Sequence, residues 1–141
     1  LGCLLIGLSY LIPKKLILNL TESIPLGWYW VQDAMAIDRG SLIVFRFQER
    51  WLIKEVAGVS GDLFCVSQQG DFSVNGEWIG KAKAKDTAGK PIPRVVGCQK
   101  LGPNEWVVLG YGDRSFDSRY FGTIQSRSIL GKAKLLGGKE S

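Results

Sequence analysis

Short apolar runs cut by glycine-bearing turns constrain this chain more than any other feature, because helix-type periodicity is scarce between them. Ser41-Leu42-Ile43-Val44-Phe45-Arg46-Phe47 follows the turn Asp38-Arg39-Gly40, and Trp51 to Val59 closes at Gly58-Val59-Ser60-Gly61-Asp62. Leu63-Phe64-Cys65-Val66-Ser67 and Asp71-Phe72-Ser73-Val74 flank Gln68-Gln69-Gly70, and Asn75-Gly76 supplies the next tight turn into Glu77-Trp78-Ile79. Runs of this length, rich in β-branched and aromatic residues and bounded by turn formers, predict strands. Eighteen glycines, six Phe, five Trp and four Tyr fit a mostly β body. A chain of 141 residues is the size of one domain with one core.

The run Ser41 to Phe47 is apolar without alternation, so it is expected to be buried on both faces or to sit in a barrel-like setting. Lys15 to Leu20 leads into a turn at Ser23, Gly27-Trp28-Tyr29-Trp30-Val31 restarts an extended segment, and Glu105 to Tyr111 is a further strand. Gln48-Glu49-Arg50 reads as a connection and Lys81 to Pro93 as a polar loop. Lys132, Lys134 and Lys139 fall in what reads as a glycine-rich tail.

The net charge of +5 raises the question of an anionic partner. The lysines at 81, 83, 85 and 90 fall in one exposed loop and those at 132, 134 and 139 in the tail, a pattern that predicts a solvated surface and no nucleic-acid partner. Residues 1–13 are apolar and end at Pro13-Lys14-Lys15 without an initiating methionine. A spanning helix needs about 20 such residues, so residues 1–15 are expected to be the distal part of a truncated membrane anchor or signal segment, ahead of a β-rich domain over 16–141. A buried N-terminal strand is the alternative. Of three cysteines, Cys3 lies in the apolar start. Cys65 and Cys98 either form a disulfide, as suits an exported domain, or remain two separate buried thiols. Their spacing fits no zinc or redox motif, and no metal or other cofactor is expected.

There is no histidine, which excludes a Ser-His-Asp triad and an HExxH zinc site. Lysine can replace histidine as a base when it is neutral, and burial among apolar groups disfavours the ammonium form. Lys54 stands in the apolar run Trp51-Leu52-Ile53-Lys54-Glu55-Val56-Ala57-Gly58-Val59. Alternation in a strand puts it on one face with Leu52 and Val56, while Glu55 points away with Ile53 and Ala57. The bland alternative is an edge-strand lysine facing water. Ser23 stands in Asn19-Leu20-Thr21-Glu22-Ser23-Ile24-Pro25-Leu26-Gly27-Trp28-Tyr29, a turn fixed by proline and glycine. A neutral amine beside a serine hydroxyl is a working nucleophile and base pair.

Four segments, in order, resemble the membrane-bound signal peptidases: the Ser-x-Pro turn at Ser23, Arg39-Gly40-Ser41-Leu42-Ile43-Val44-Phe45, Leu52 to Asp62, and Gly112-Asp113-Arg114-Ser115-Phe116-Asp117-Ser118-Arg119-Tyr120-Phe121-Gly122. They span most of the chain. Proline follows Ser23 by two positions rather than the three usual in the type I enzymes, and Asn19-x-Thr21-x-Ser23-x-Pro25-x-Gly27-x-Tyr29 is similar to the TraF branch, the peptidases of conjugative transfer systems.

The resemblance implies a coiled β-sheet or barrel catalytic domain and a Ser-Lys endopeptidase that cleaves signal or leader peptides after small residues, with a pilin precursor as substrate. It implies Ser23 as nucleophile and Lys54 as base, with the Ser23 N–H and the Thr21 hydroxyl as oxyanion donors. Ser115 would orient the lysine, Asp117 and Arg119 would form a structural ion pair, and Ile24 would line a substrate pocket. A protein substrate and membrane lipid are the implied partners, and the bacterial inner membrane, with the catalytic domain facing the periplasm, the implied location. Trp28, Tyr29, Trp30 and Trp51 would rest in the membrane interface or pack in the core. Two other readings compete: a self-cleaving repressor-type peptidase of the LexA kind, and a non-catalytic membrane-tethered β scaffold of a pilus or secretion assembly.

Overall fold

The computed structural model describes residues 14–19, 23–33, 36–112 and 115–138, so of the expected anchor over 1–15 residues 1–13 lie outside the described residues, whereas Lys14 and Lys15 pair with Gln32 and Val31 in a strand. Eleven strands dominate: β1 (Lys14–Asn19), β2 (Gly27–Gln32), β3 (Leu42–Phe47), β4 (Arg50–Gly58), β5 (Leu63–Val66), β6 (Asp71–Val74), β7 (Glu77–Lys81), β8 (Gly97–Lys100), β9 (Glu105–Leu109), β10 (Ile124–Gln125) and β11 (Ile129–Gly138). A single helical turn, α1 (Ser118–Phe121), follows β9. Seven strands form one sheet in the order β1-β2-β11-β3-β4-β9-β10, and β7-β6-β5-β8 form a second.

Burial of β3 follows its unbroken apolar run: Ile43, Val44 and Phe45 are all fully buried. Successive side chains go to opposite faces, and the two faces feed different parts of the core. Val44 and the β4 residue Ile53 pack with Ile24, Tyr29 and Val31. Ile43 and Phe45 pack with Val56, Val108 and Ile124, joined by Leu52, Phe47 and Phe121. Val107 and Leu101 of the larger sheet's side meet Phe64, Val66, Phe72 and Val74 of the smaller sheet.

Three departures from the sequence reading have physical causes. The glycine-rich tail is β11, paired with β2 on one side and β3 on the other. Leu130, Ala133 and Leu135 turn into the core, Gly131 allows a close approach to the Gln32 carbonyl, where a Cβ would lie 2.2 Å from the oxygen, and Lys134 is exposed. Strand β8 carries only exposed side chains, so no apolar signal marked it. The β3–β4 connection shrinks to Gln48 and Glu49, both at positive φ (46° and 66°), a hairpin turn made without the usual glycine or asparagine. The aromatic group divides: Tyr29 is fully buried, while Trp28 and Trp51 are half exposed.

Cys65 and Cys98 face each other across β5 and β8 and are joined by a disulfide, with Cα atoms 4.1 Å apart. Asp62, between β4 and β5, takes hydrogen bonds from the Arg39 guanidinium, the Val59 N–H and the Asn75 amide. Burial pushes its carboxyl upward, but those donors outweigh burial and hold it below the ordinary aspartate value.

Candidate active site

Three distant segments meet at one amine. Strand β4 pairs Lys54 with Ile43 and turns its side chain to the face shared with Leu52 and Val56, where the residue is only 5% exposed. The Lys54 Nζ lies 2.7 Å from Ser23 Oγ and 3.2 Å from Ser115 Oγ. Burial lowers the lysine pKa below its usual value; Asp117 opposes that, and Arg119 adds to it. A neutral amine at this distance can accept the Ser23 hydroxyl proton while one of its own N–H groups donates to Ser115.

The turn that carries Ser23 is tied down from several sides. The Asn19 amide donates to the carbonyls of Ile24 (3.0 Å) and Pro25 (3.1 Å), and the Tyr29 hydroxyl donates to the Pro25 carbonyl at 2.6 Å. Ile24 is fully buried beside Ile53. From across the site, the Tyr111 N–H donates to the Ser23 carbonyl. Thr21 lies outside the described residues.

The segment after β9 supplies the remaining parts. Asp117 caps α1, accepts from the Arg119 and Gly110 N–H groups, and meets the Arg119 guanidinium through both carboxylate oxygens at 2.8 Å. Arg119 also donates to the carbonyls of Gly112, Ser115 and, across to the second sheet, Lys81. Both members of the pair are buried, and every buried side-chain polar atom among the described residues has a partner, as a desolvated ion pair requires.

Sequence reasoning missed Gly110. A Cβ there would lie 1.9 Å from Ser115 Oγ and 3.0 Å from Lys54 Nζ, so only glycine leaves room for the Ser115 and Lys54 side chains together. With Tyr111 next to it holding the Ser23 turn, the Gly110-Tyr111 dipeptide touches all three segments. A glycine ending a strand reads in sequence only as punctuation, which is why it carried no signal.

One edge beside the site has a single strand partner. Strand β9 pairs with Glu55–Gly58 of β4 and ends at Leu109 opposite Glu55, whereas the stretch Arg50–Lys54 pairs with β3 alone among the described strands. A backbone edge of this kind can accept an extended peptide as an added strand.

Comparison with known proteins bears on this geometry. Residues 3–136 match the family described as signal peptidase, peptidase S26. A plasmid transfer protein TraF from Escherichia coli is 29% identical over 153 residues, covering 90% of this chain and 84% of the relative. A second Escherichia coli plasmid transfer protein TraF is 30% identical over 138 residues, covering 79% of this chain and 76% of that protein. Among solved structures, a signal peptidase I from Enterococcus faecalis V583 aligns with a TM-score of 0.47 and 19% identity over 71% of this chain and 98% of its own. With the match running through nearly the whole chain and the relatives agreeing, this protein belongs to the S26 signal peptidase family, on its TraF-type side.

Proposed function

We propose that the chain is a serine endopeptidase in which Ser23 attacks the scissile carbonyl and Lys54, neutral in its buried position, takes the hydroxyl proton and returns it to the leaving amine. The single observation that carries this reading is the 2.7 Å approach of Lys54 Nζ to Ser23 Oγ at a buried amine whose pKa is lowered by burial. Ser115 holds the amine in line, the Asp117–Arg119 pair holds the segment bearing Ser115, and the Ser23 N–H together with Thr21 serves the oxyanion.

The substrate is an extended segment of a protein, added to the edge of β4 at Arg50–Lys54, with a small residue before the cut seated over Ile24 and Ile53. The kinship with plasmid transfer proteins favours a leader or pilin precursor of a conjugative system, processed by a membrane-associated enzyme on the periplasmic side. The Cys65–Cys98 disulfide suits such an oxidising compartment. Among the described residues no helix is long and apolar enough to cross a membrane; the anchor is proposed for residues 1–13, ahead of β1.

The test is processing of precursor peptides by the purified chain and by its Ser23→Ala and Lys54→Ala variants, with folding followed by circular dichroism. Both variants should stay folded and lose cleavage. Retained cleavage in either one rejects the dyad, and a scaffold protein would tolerate both changes.

A further inference from the structure

We infer that Phe116 and Phe47 form a specificity surface for bulky apolar side chains at the second and fourth substrate residues before the cut. The inference rests on the peptidase reading above. Its starting point is an aromatic shelf with an exposed outer member: Phe116 is 47% exposed although it directly follows Ser115, and Phe47 is half-buried at the rim of the core. Its ring sits 5.7 Å from that of Phe47, 5.2 Å from that of Phe121 and 5.8 Å from that of Tyr120.

Register places this shelf relative to the reacting groups. Ile43, Phe45 and Phe47 oppose Lys54, Leu52 and Arg50 in the β3–β4 ladder, and directly opposed residues share a face of the sheet. Lys54, Leu52 and Arg50 of β4 therefore share one face with Ile43, Phe45 and Phe47 of β3, and Phe116 closes over its Phe47 end. Ile53 and Ile24 belong to the other face. From Lys54 back to Arg50 is four residues, about 13 Å of extended chain at roughly 3.3 Å each, so the shelf runs beside the stretch of β4 that, among the described strands, has no partner but β3.

An extended peptide paired along that stretch must send alternate side chains to opposite faces. The residue before the cut and the third one fall toward Ile24 and Ile53, which leave little room. The second and fourth fall toward Leu52, Phe116 and Phe47, where an exposed apolar surface gains from being covered by leucine, isoleucine or an aromatic ring. A small-residue rule near the cut thus coexists with a preference for bulk at alternate positions.

The experiment uses synthetic decapeptides of alanine-rich sequence in which leucine replaces alanine in turn at each of the four positions before the cut. Cleavage by the native chain and binding to the Ser23→Ala chain, read by fluorescence polarisation, are measured for each peptide. Leucine at the second or fourth position should raise kcat/KM and tighten binding roughly tenfold over alanine, the scale of one well-covered aromatic contact. That leucine-to-alanine ratio should fall toward one in Phe116→Ala and survive in Phe116→Leu, which keeps an apolar surface. A preference lying at the first or third position, no preference in either assay, or a ratio unmoved by Phe116→Ala overturns the inference. Absence of cleavage by the native chain overturns the peptidase reading instead, and binding to Ser23→Ala then still decides whether the shelf reads alternate positions.

Discussion

The two sheets divide the labour of this fold unequally. The seven-stranded sheet carries Lys54 on β4 and flanks both the Ser23 turn and the segment of Ser115. The four-stranded sheet contributes no side chain to that cluster, has a fully exposed edge strand in β8, and is closed covalently by Cys65–Cys98. The contrast teaches that geometry near a reacting group is bought with core packing on both faces of a sheet, whereas the smaller sheet adds a cross-link at its exposed edge strand to the one apolar cluster it shares. The two pack together through Val107 and Leu101 against Phe64, Val66, Phe72 and Val74, and polar links flank that core: Arg119 donates to the Lys81 carbonyl, and the Lys83 N–H donates to the Tyr120 hydroxyl.

Several measurements can sharpen or break that contrast. Removing the proposed dyad, by Ser23→Ala or Lys54→Ala, should lower kcat/KM by roughly 10⁴-fold or more without shifting the unfolding transition of the smaller sheet; a residual rate within tenfold of native would erase the distinction between the sheets. Arg119→Ala strands a buried Asp117 carboxylate and severs the link to Lys81, so it should cost about 3–5 kcal/mol in urea unfolding and activity as well. A loss under about 1 kcal/mol would mean that the pair is not what joins the halves. The double change Cys65→Ala with Cys98→Ala should cost about 2–4 kcal/mol of stability while kcat/KM at low temperature changes little; a collapse of activity in protein that is still folded would show that the smaller sheet tunes the site.

The pH profile belongs to the larger sheet alone. Because burial lowers the Lys54 pKa, the neutral amine is scarce at low pH and kcat/KM should climb about tenfold per unit until the folded-state pKa is passed. The same shift means the unfolded chain holds the extra proton between the folded and unfolded pKa values, so this residue's contribution to stability improves as pH rises through that window. A rate that falls steadily with pH contradicts the role. The smallest effect is at Tyr29→Phe, which removes one hydrogen bond to the Pro25 carbonyl and should cost about 1 kcal/mol.

Much of the larger sheet was legible in the chain because its chemistry stands out against its surroundings: a lysine in an apolar strand and a serine in a proline-glycine turn, whereas Ser115 entered only through the family resemblance of Gly112 to Gly122. Hairpins with glycine turns were legible too. What escaped was whatever depends on residues far apart in sequence. Gly110 matters because Ser115 and Lys54 crowd it, and Tyr111 because its N–H reaches Ser23; neither has a local mark. The lysines and glycines of β11 masked an alternation whose inward members, Ala133 and Leu135, are few and small, and β8 has no inward members at all.

The place of β11 governs when the two reacting side chains can meet. It enters between β2 and β3, so among the described strands it is the one ladder stitching the half that leads from Ser23 to the half that bears Lys54. A polypeptide emerging N-terminus first exposes both of those residues long before β11 has been synthesised. The approach of Ser23 to Lys54 in the folded chain thus waits on its last strand, which closes the sheet between them like a clasp.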